Sequence, residues 1–238
     1  MKKNRTSLYN RETTKRRKNV HYIDKEAKDI ILGFRKNITR IKEQYKIIDY
    51  LMNKQEYEAA NDILRFQIVY VMSALDFFLH EIYVYCFIKI FNNELPKTDR
   101  YYEYRVPLRL IEQALYDQEN FEMYLTNALI ELNSNLTFMA PNRIKELLNI
   151  ITPEDEFTIA EEMLKKKGII KPGVRLIRLL DEIYDRRNKI AHQTDINHGC
   201  DEKNIITKQE VEYYVDVIHN FVEEVFKIII QQTRKDFK

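Results

Sequence analysis

The chain has 238 residues, of which 45% are hydrophobic and 32% charged, with four Gly, five Pro and a formal net charge of +2. That apolar share can bury a core without staples, and so few Gly and Pro argue against a turn-rich sandwich or barrel and predict an all-α fold. Cys86 and Cys200 are too few for a disulfide framework and show no metal-ligand spacing, so reduced thiols, no metal, no cofactor and a cytoplasmic location are expected.

The first 18 residues hold eight Lys or Arg against one acid, Glu12, a net +7 that leaves −5 for the rest. With few apolar residues, positions 1–20 read as a flexible basic tail ahead of a single helical domain over 21–238. Lys15, Arg16 and Arg17 either hold RNA backbone through counterion release or belong to a solvated terminus. No short apolar core follows the basic residues, so no secretory signal is expected.

From Asp24 to Tyr50 the apolar residues Ile30, Ile31, Phe34, Ile38, Ile41, Tyr45 and Ile48 step by three and four, the spacing of one helical face. A longer helix is predicted over Glu56–Asn92, apolar nearly all round after Phe66, and is the expected core element. Asp76, His80, Glu81 and Lys89 interrupt its apolar run, which argues for a buried helix and against a membrane span. A Tyr-rich connector reaches Pro107, with Tyr101, Tyr102 and Tyr104 able either to stack on RNA bases or to pack the connector. Shorter helices follow over Leu108–Tyr116, Asn120–Leu132 and Pro141–Ile150. Thr152-Pro153-Glu154-Asp155 reads as the start of the next helix, with Thr152 as capping hydroxyl and Gly168 marking its end. Another helix runs from Lys171-Pro172-Gly173 to His192, with Leu176, Leu179, Leu180, Ile183 and Ile190 inward. A polar loop over Gln193–Ile206 leads to Thr207-Lys208-Gln209-Glu210, a capping box that opens the last helix.

Function must come from a site rather than from a helical bundle as such. The segment Tyr184-Asp185-Arg186-Arg187-Asn188-Lys189-Ile190-Ala191-His192-Gln193 places Arg, Asn and His at a helix end beside a loop. Asn188 and His192 are i,i+4 and nearly eclipse, while Arg187 lies about 140° from His192. Arg187 therefore joins them from the flank, or meets a second copy across a two-fold axis. The dipole at that helix end favours a cation.

Arg187-Asn188-Lys189-Ile190-Ala191-His192 resembles the Arg-x4-His signature of the HEPN superfamily, in the form found in its bacterial RiboL-PSP-type and related members. Ser73-Ala74-Leu75-Asp76-Phe77-Phe78-Leu79-His80-Glu81-Ile82 is similar to the long helix that precedes the motif, and the resemblance spans Glu56 to Ile230. It implies a HEPN-like bundle with additional helices inserted before the motif helix. It also implies a homodimer that joins two motifs in one cleft and cuts RNA without metal, leaving 2′,3′-cyclic phosphate and 5′-hydroxyl ends. By position, His192 would exchange protons with the 2′-hydroxyl or the leaving oxygen, Arg187 would hold the phosphate, and Asn188 would orient either. Arg186 and Lys189 are candidate RNA-backbone contacts, Arg186 alternatively facing solvent. Asp76 or Glu81 either orients the cleft or is satisfied inside the bundle. The resemblance suggests a toxin or phage-defence effector with an antitoxin or other defence protein as partner. The alternatives are a non-catalytic module binding nucleotide, RNA or protein, and a purely structural dimerisation protein.

Overall fold

The computed structural model describes residues 26–196 and 202–235, and side chains to residue 232. The basic segment with Lys15, Arg16 and Arg17 lies outside the described residues, as do His21, His198 and Cys200.

The first amphipathic pattern forms two helices, α1 (Ala27–Glu43) and α2 (Tyr45–Asn53). Ile30, Ile31, Phe34, Ile38, Ile41 and Ile48 are buried as their spacing requires. The break falls at Gln44. The buried Gln67 side chain donates from Nε2 to the Ile41 carbonyl at 3.1 Å and reaches Gln44 Oε1 at 3.4 Å. The Ile41 carbonyl also accepts from Gln44 N at 3.1 Å, so Gln67 adds a second donor at the junction of the two helices.

Gln67 belongs to α3 (Tyr57–Phe91), 35 residues without interruption. Its apolar surface is long enough to cross a membrane by composition, yet most of it is buried within this fold. Helices α1 and α2 pack on α3, as do α6 (Phe121–Asn133), α7 (Pro141–Ile151), α9 (Leu176–Gln193) and α10 (Lys208–Lys235). Such a helix, apolar on nearly every side, is stable only when enclosed.

The Tyr-rich connector contains a short turn of helix, α4 (Asp99–Tyr102). Thr98 makes it, its Oγ1 accepting from Tyr101 N at 3.0 Å and donating to the Ile150 carbonyl at 2.9 Å. Tyr101 and Tyr104 lay their rings on Phe87, centroids 4.9 Å away in each case, which fits the connector-packing expectation, while Tyr102 is exposed. Helix α5 (Leu108–Tyr116) packs on α6, and α8 (Glu156–Lys166) on α10.

The start of α8 corrects the sequence expectation. Asp155, not Thr152, is its cap, accepting from Thr158 N at 3.2 Å. Thr152 ends α7, and its hydroxyl oxygen is held by Gln232 Nε2 at 2.7 Å. Gly168, at φ 70°, sits in the left-handed region just past α8, where only Gly is unstrained. At the other capped start, Thr207 Oγ1 accepts from Glu210 N at 3.2 Å and opens α10. Among the described residues the fold is all-α; a lone bridge between Ile196 and Lys203 closes the loop before α10.

Candidate active site at the end of α9

Helix α9 turns Leu176, Leu179, Leu180 and Ile183 into the core. A residue nine positions beyond Ile183 stands opposite that face at 100° per residue, and that residue is His192. It is exposed. Asn188 lies one turn earlier on the same side and is half-buried. Arg187 leaves α9 closer to the core, and its Nη1 donates to Asn188 Oδ1 at 3.0 Å. Its Nε is buried without a hydrogen-bond partner. The guanidinium is thus brought around the helix toward the Asn188 and His192 side, with donors remaining for an anion.

The helix then stops abruptly. Thr194 and Asp195 both adopt left-handed backbone, at φ 51° and 61°, a conformation that costs L residues roughly 1–2 kcal/mol each. Asp195 N donates back to the Lys189 carbonyl at 3.0 Å. The Asp195 side chain is fully buried, at 0% exposure. Its Oδ2 accepts from Arg65 Nε at 2.8 Å and from Arg186 Nη2 at 3.0 Å, and its Oδ1 from Asn204 Nδ2 at 3.1 Å.

The returning segment closes over this acid. Arg65 Nη2 donates to the Asn204 carbonyl at 2.8 Å and Arg186 Nη2 to the Ile205 carbonyl at 2.9 Å. Asn204 N donates to the Asp195 carbonyl at 2.8 Å. At the rim Lys203 Nζ meets Asp62 Oδ1 at 2.7 Å, which holds the Asp62 carboxyl below its usual range.

The structure thus brings Arg187, Asn188 and His192 to one helix end, with Lys189 exposed between them. Arg186 points the other way, its Nη2 donating to Asp195 Oδ2 and to the Ile205 carbonyl, with its side chain 15% exposed. Asp76 serves the bundle. Its Oδ1 accepts from Phe138 N at 2.6 Å and Thr137 Oγ1 at 3.2 Å, and its Oδ2 lies 3.9 Å from His80 Nε2. Glu81 is half-buried on α3. Sequence reasoning missed Arg65, Asp195 and Asn204. The available signal was an Arg at a buried position of the core helix and an Asp directly after the motif helix. Among the described residues no group of three His, Cys, Asp or Glu is placed to hold a metal ion.

An all-α bundle whose exposed helix end carries Arg-x4-His defines a HEPN-type domain. The family model described as RiboL-PSP-HEPN matches residues 11–231, and the chain belongs to that family. Membership points to a nuclease or nucleotide-related function; HEPN domains are often ribonucleases, and the family includes non-catalytic members as well. No curated protein and no solved structure matches the chain.

Proposed function

We propose that the chain is a metal-independent endoribonuclease whose site consists of Arg187, Asn188 and His192. The observation that carries this reading is the position of His192, exposed opposite the core face of α9, with the Arg187 guanidinium drawn over Asn188 beside it. These groups supply proton transfer, orientation and positive charge, which is what transesterification at phosphorus requires.

In the step proposed, His192 takes the proton of an RNA 2′-hydroxyl as the 2′-oxygen attacks the adjacent phosphorus. The bond from phosphorus to the 5′-oxygen breaks, and that oxygen leaves with a proton from an imidazolium. The products are a 2′,3′-cyclic phosphate and a 5′-hydroxyl. Arg187 faces the charge on the non-bridging oxygens. A base on one side and an acid on the other call for two imidazoles, and a homodimer supplies the second as the His192 of another copy. Lys189 and the basic N-terminal residues Lys15, Arg16 and Arg17 add backbone contacts that read no sequence. In this reading the protein is a cytoplasmic toxin or phage-defence effector, restrained by an antitoxin or another protein of the same system.

The test is purified protein, wild type and His192→Ala, on RNA with EDTA present, beside expression of both in a bacterial host. Wild type should leave cyclic-phosphate ends and arrest growth, and the variant should lose about 10²- to 10⁴-fold in rate. RNA bound but left intact by wild type would sink the enzyme reading in favour of a binding module. A fully active monomer in sedimentation at micromolar concentration would refute the composite site.

A further inference from the structure

We infer that Asp195, gripped by Arg65 and Arg186, is the positioning device that fixes the end of α9 and so aims His192; this rests on the role proposed for His192. Three observations converge. The acid is fully buried while its partners come from α3, α9 and the segment before α10, so one carboxylate ties three parts of the chain. Two successive non-Gly residues, Thr194 and Asp195, hold left-handed backbone directly after the motif. Such strain persists only where the surroundings over-determine it. Finally, Arg186 is the neighbour of Arg187 in sequence, yet its guanidinium turns to Asp195 while that of Arg187 turns to Asn188.

A buried ion pair is weak evidence for net stability, because desolvation offsets the attraction, and its best-attested use is to fix register. Here the register at issue is where α9 ends. Were the last turn to fray from Lys189, His192 would lose its fixed place opposite Ile183. The bond from Asp195 N to the Lys189 carbonyl spans the last turn of the motif, so anchoring Asp195 anchors the turn that carries His192. The acid that orients the site therefore comes from just downstream of the motif, and its cationic partners from the core helix and from the motif's own first arginine.

The experiment compares full-length wild type with Asp195→Asn, which keeps the shape and one acceptor, and with Arg186→Met, which leaves the tie from Arg65 intact. Amide hydrogen exchange at residues 190–196 should speed up at least about tenfold in both, while amides of Leu75–Ile82 and Val215–Val222 keep their protection. RNA cleavage should fall by about a hundredfold in kcat with KM held, since a misplaced group acts in the transition state rather than in binding. Arg186→Lys, which restores a cation toward Asp195, should recover most of the rate. Unchanged exchange at 190–196 overturns the inference, as does exchange accelerated equally throughout the chain. Wild type that fails to cut RNA would remove the proposed enzyme activity, and the exchange comparison would still decide whether Asp195 fixes the helix end.

Discussion

The two ends of the bundle each bury an acid at a helix junction and treat it in opposite ways. At the motif end Asp195, 0% exposed, meets two guanidinium groups and an amide. At the other end Glu156, 1% exposed in the first turn of α8, is in no ion pair among the described residues, and its Oε1 has no hydrogen-bond partner among them. Burial pushes its carboxyl up to about 7. Nearby, the Cys86 thiol is also pushed well up by burial. One end uses charge to fix geometry; the other is an apolar and aromatic packing zone in which a carboxyl is tolerated best when neutral. Directional bonds specify where groups stand, whereas burial of rings supplies stability without specifying a charge.

The largest effect should come from the ring end. Phe87 is buried against Tyr83, Tyr101 and Tyr104. Phe87→Ala should cost about 3–5 kcal/mol of unfolding free energy, read by urea denaturation. The protein that remains folded should cut RNA at the wild-type rate. A variant that stays stable but loses activity would erase the division between the two ends.

Glu156→Gln tests the same division with a sign that depends on pH. The folded-state value of about 7 lies above the ordinary 4.5, so the native state holds the proton more tightly. The stability from protonated Glu156 is complete below pH 4.5 and is lost as pH rises to about 7. Gln keeps a neutral group there at every pH. The variant should therefore exceed wild type by about 3 kcal/mol at pH 8 and by under about 1 kcal/mol at pH 5. Equal denaturation midpoints at pH 8 would show that the Glu156 charge is not suppressed by burial.

How much of this was legible in the sequence follows from the range of the interactions concerned. The helices were readable because periodicity is local, and α5 begins and ends at Leu108 and Tyr116 as its pattern indicates. The donor that Gln67 brings to the junction at Gln44 was not, since it lies 23 positions on. Thr152 looked like the cap of α8, a role that falls to Asp155, and the hold of Gln232, 80 positions on, upon the Thr152 oxygen has no local sign. The small helix at Asp99 carried a local sign in Thr98 that the surrounding tyrosines obscured. At the site, the eclipsing of Asn188 and His192 is pure spacing and was readable. The turn of Arg186 toward Asp195 was not, since Asp195 is held in turn by Arg65, 130 positions earlier.

The smallest predicted effect asks whether the motif end works through buried charge or through charge in general. Lys203 and Asp62 form an ion pair at 2.7 Å at the rim of the Asp195 network, with side chains 47% and 55% exposed. Water screens such a pair and two long side chains lose freedom in making it, so its expected worth is about 0–1 kcal/mol. Lys203→Ala should leave the denaturation midpoint within that range and should leave amide exchange at residues 190–196 unchanged, because Arg65 keeps its bonds to Asp195 and to the Asn204 carbonyl. An accelerated helix end in Lys203→Ala would mean that the rim pair, rather than the buried acid, holds the returning segment in place. The contrast between the two ends would then be one of charge against rings, with burial playing no separate part.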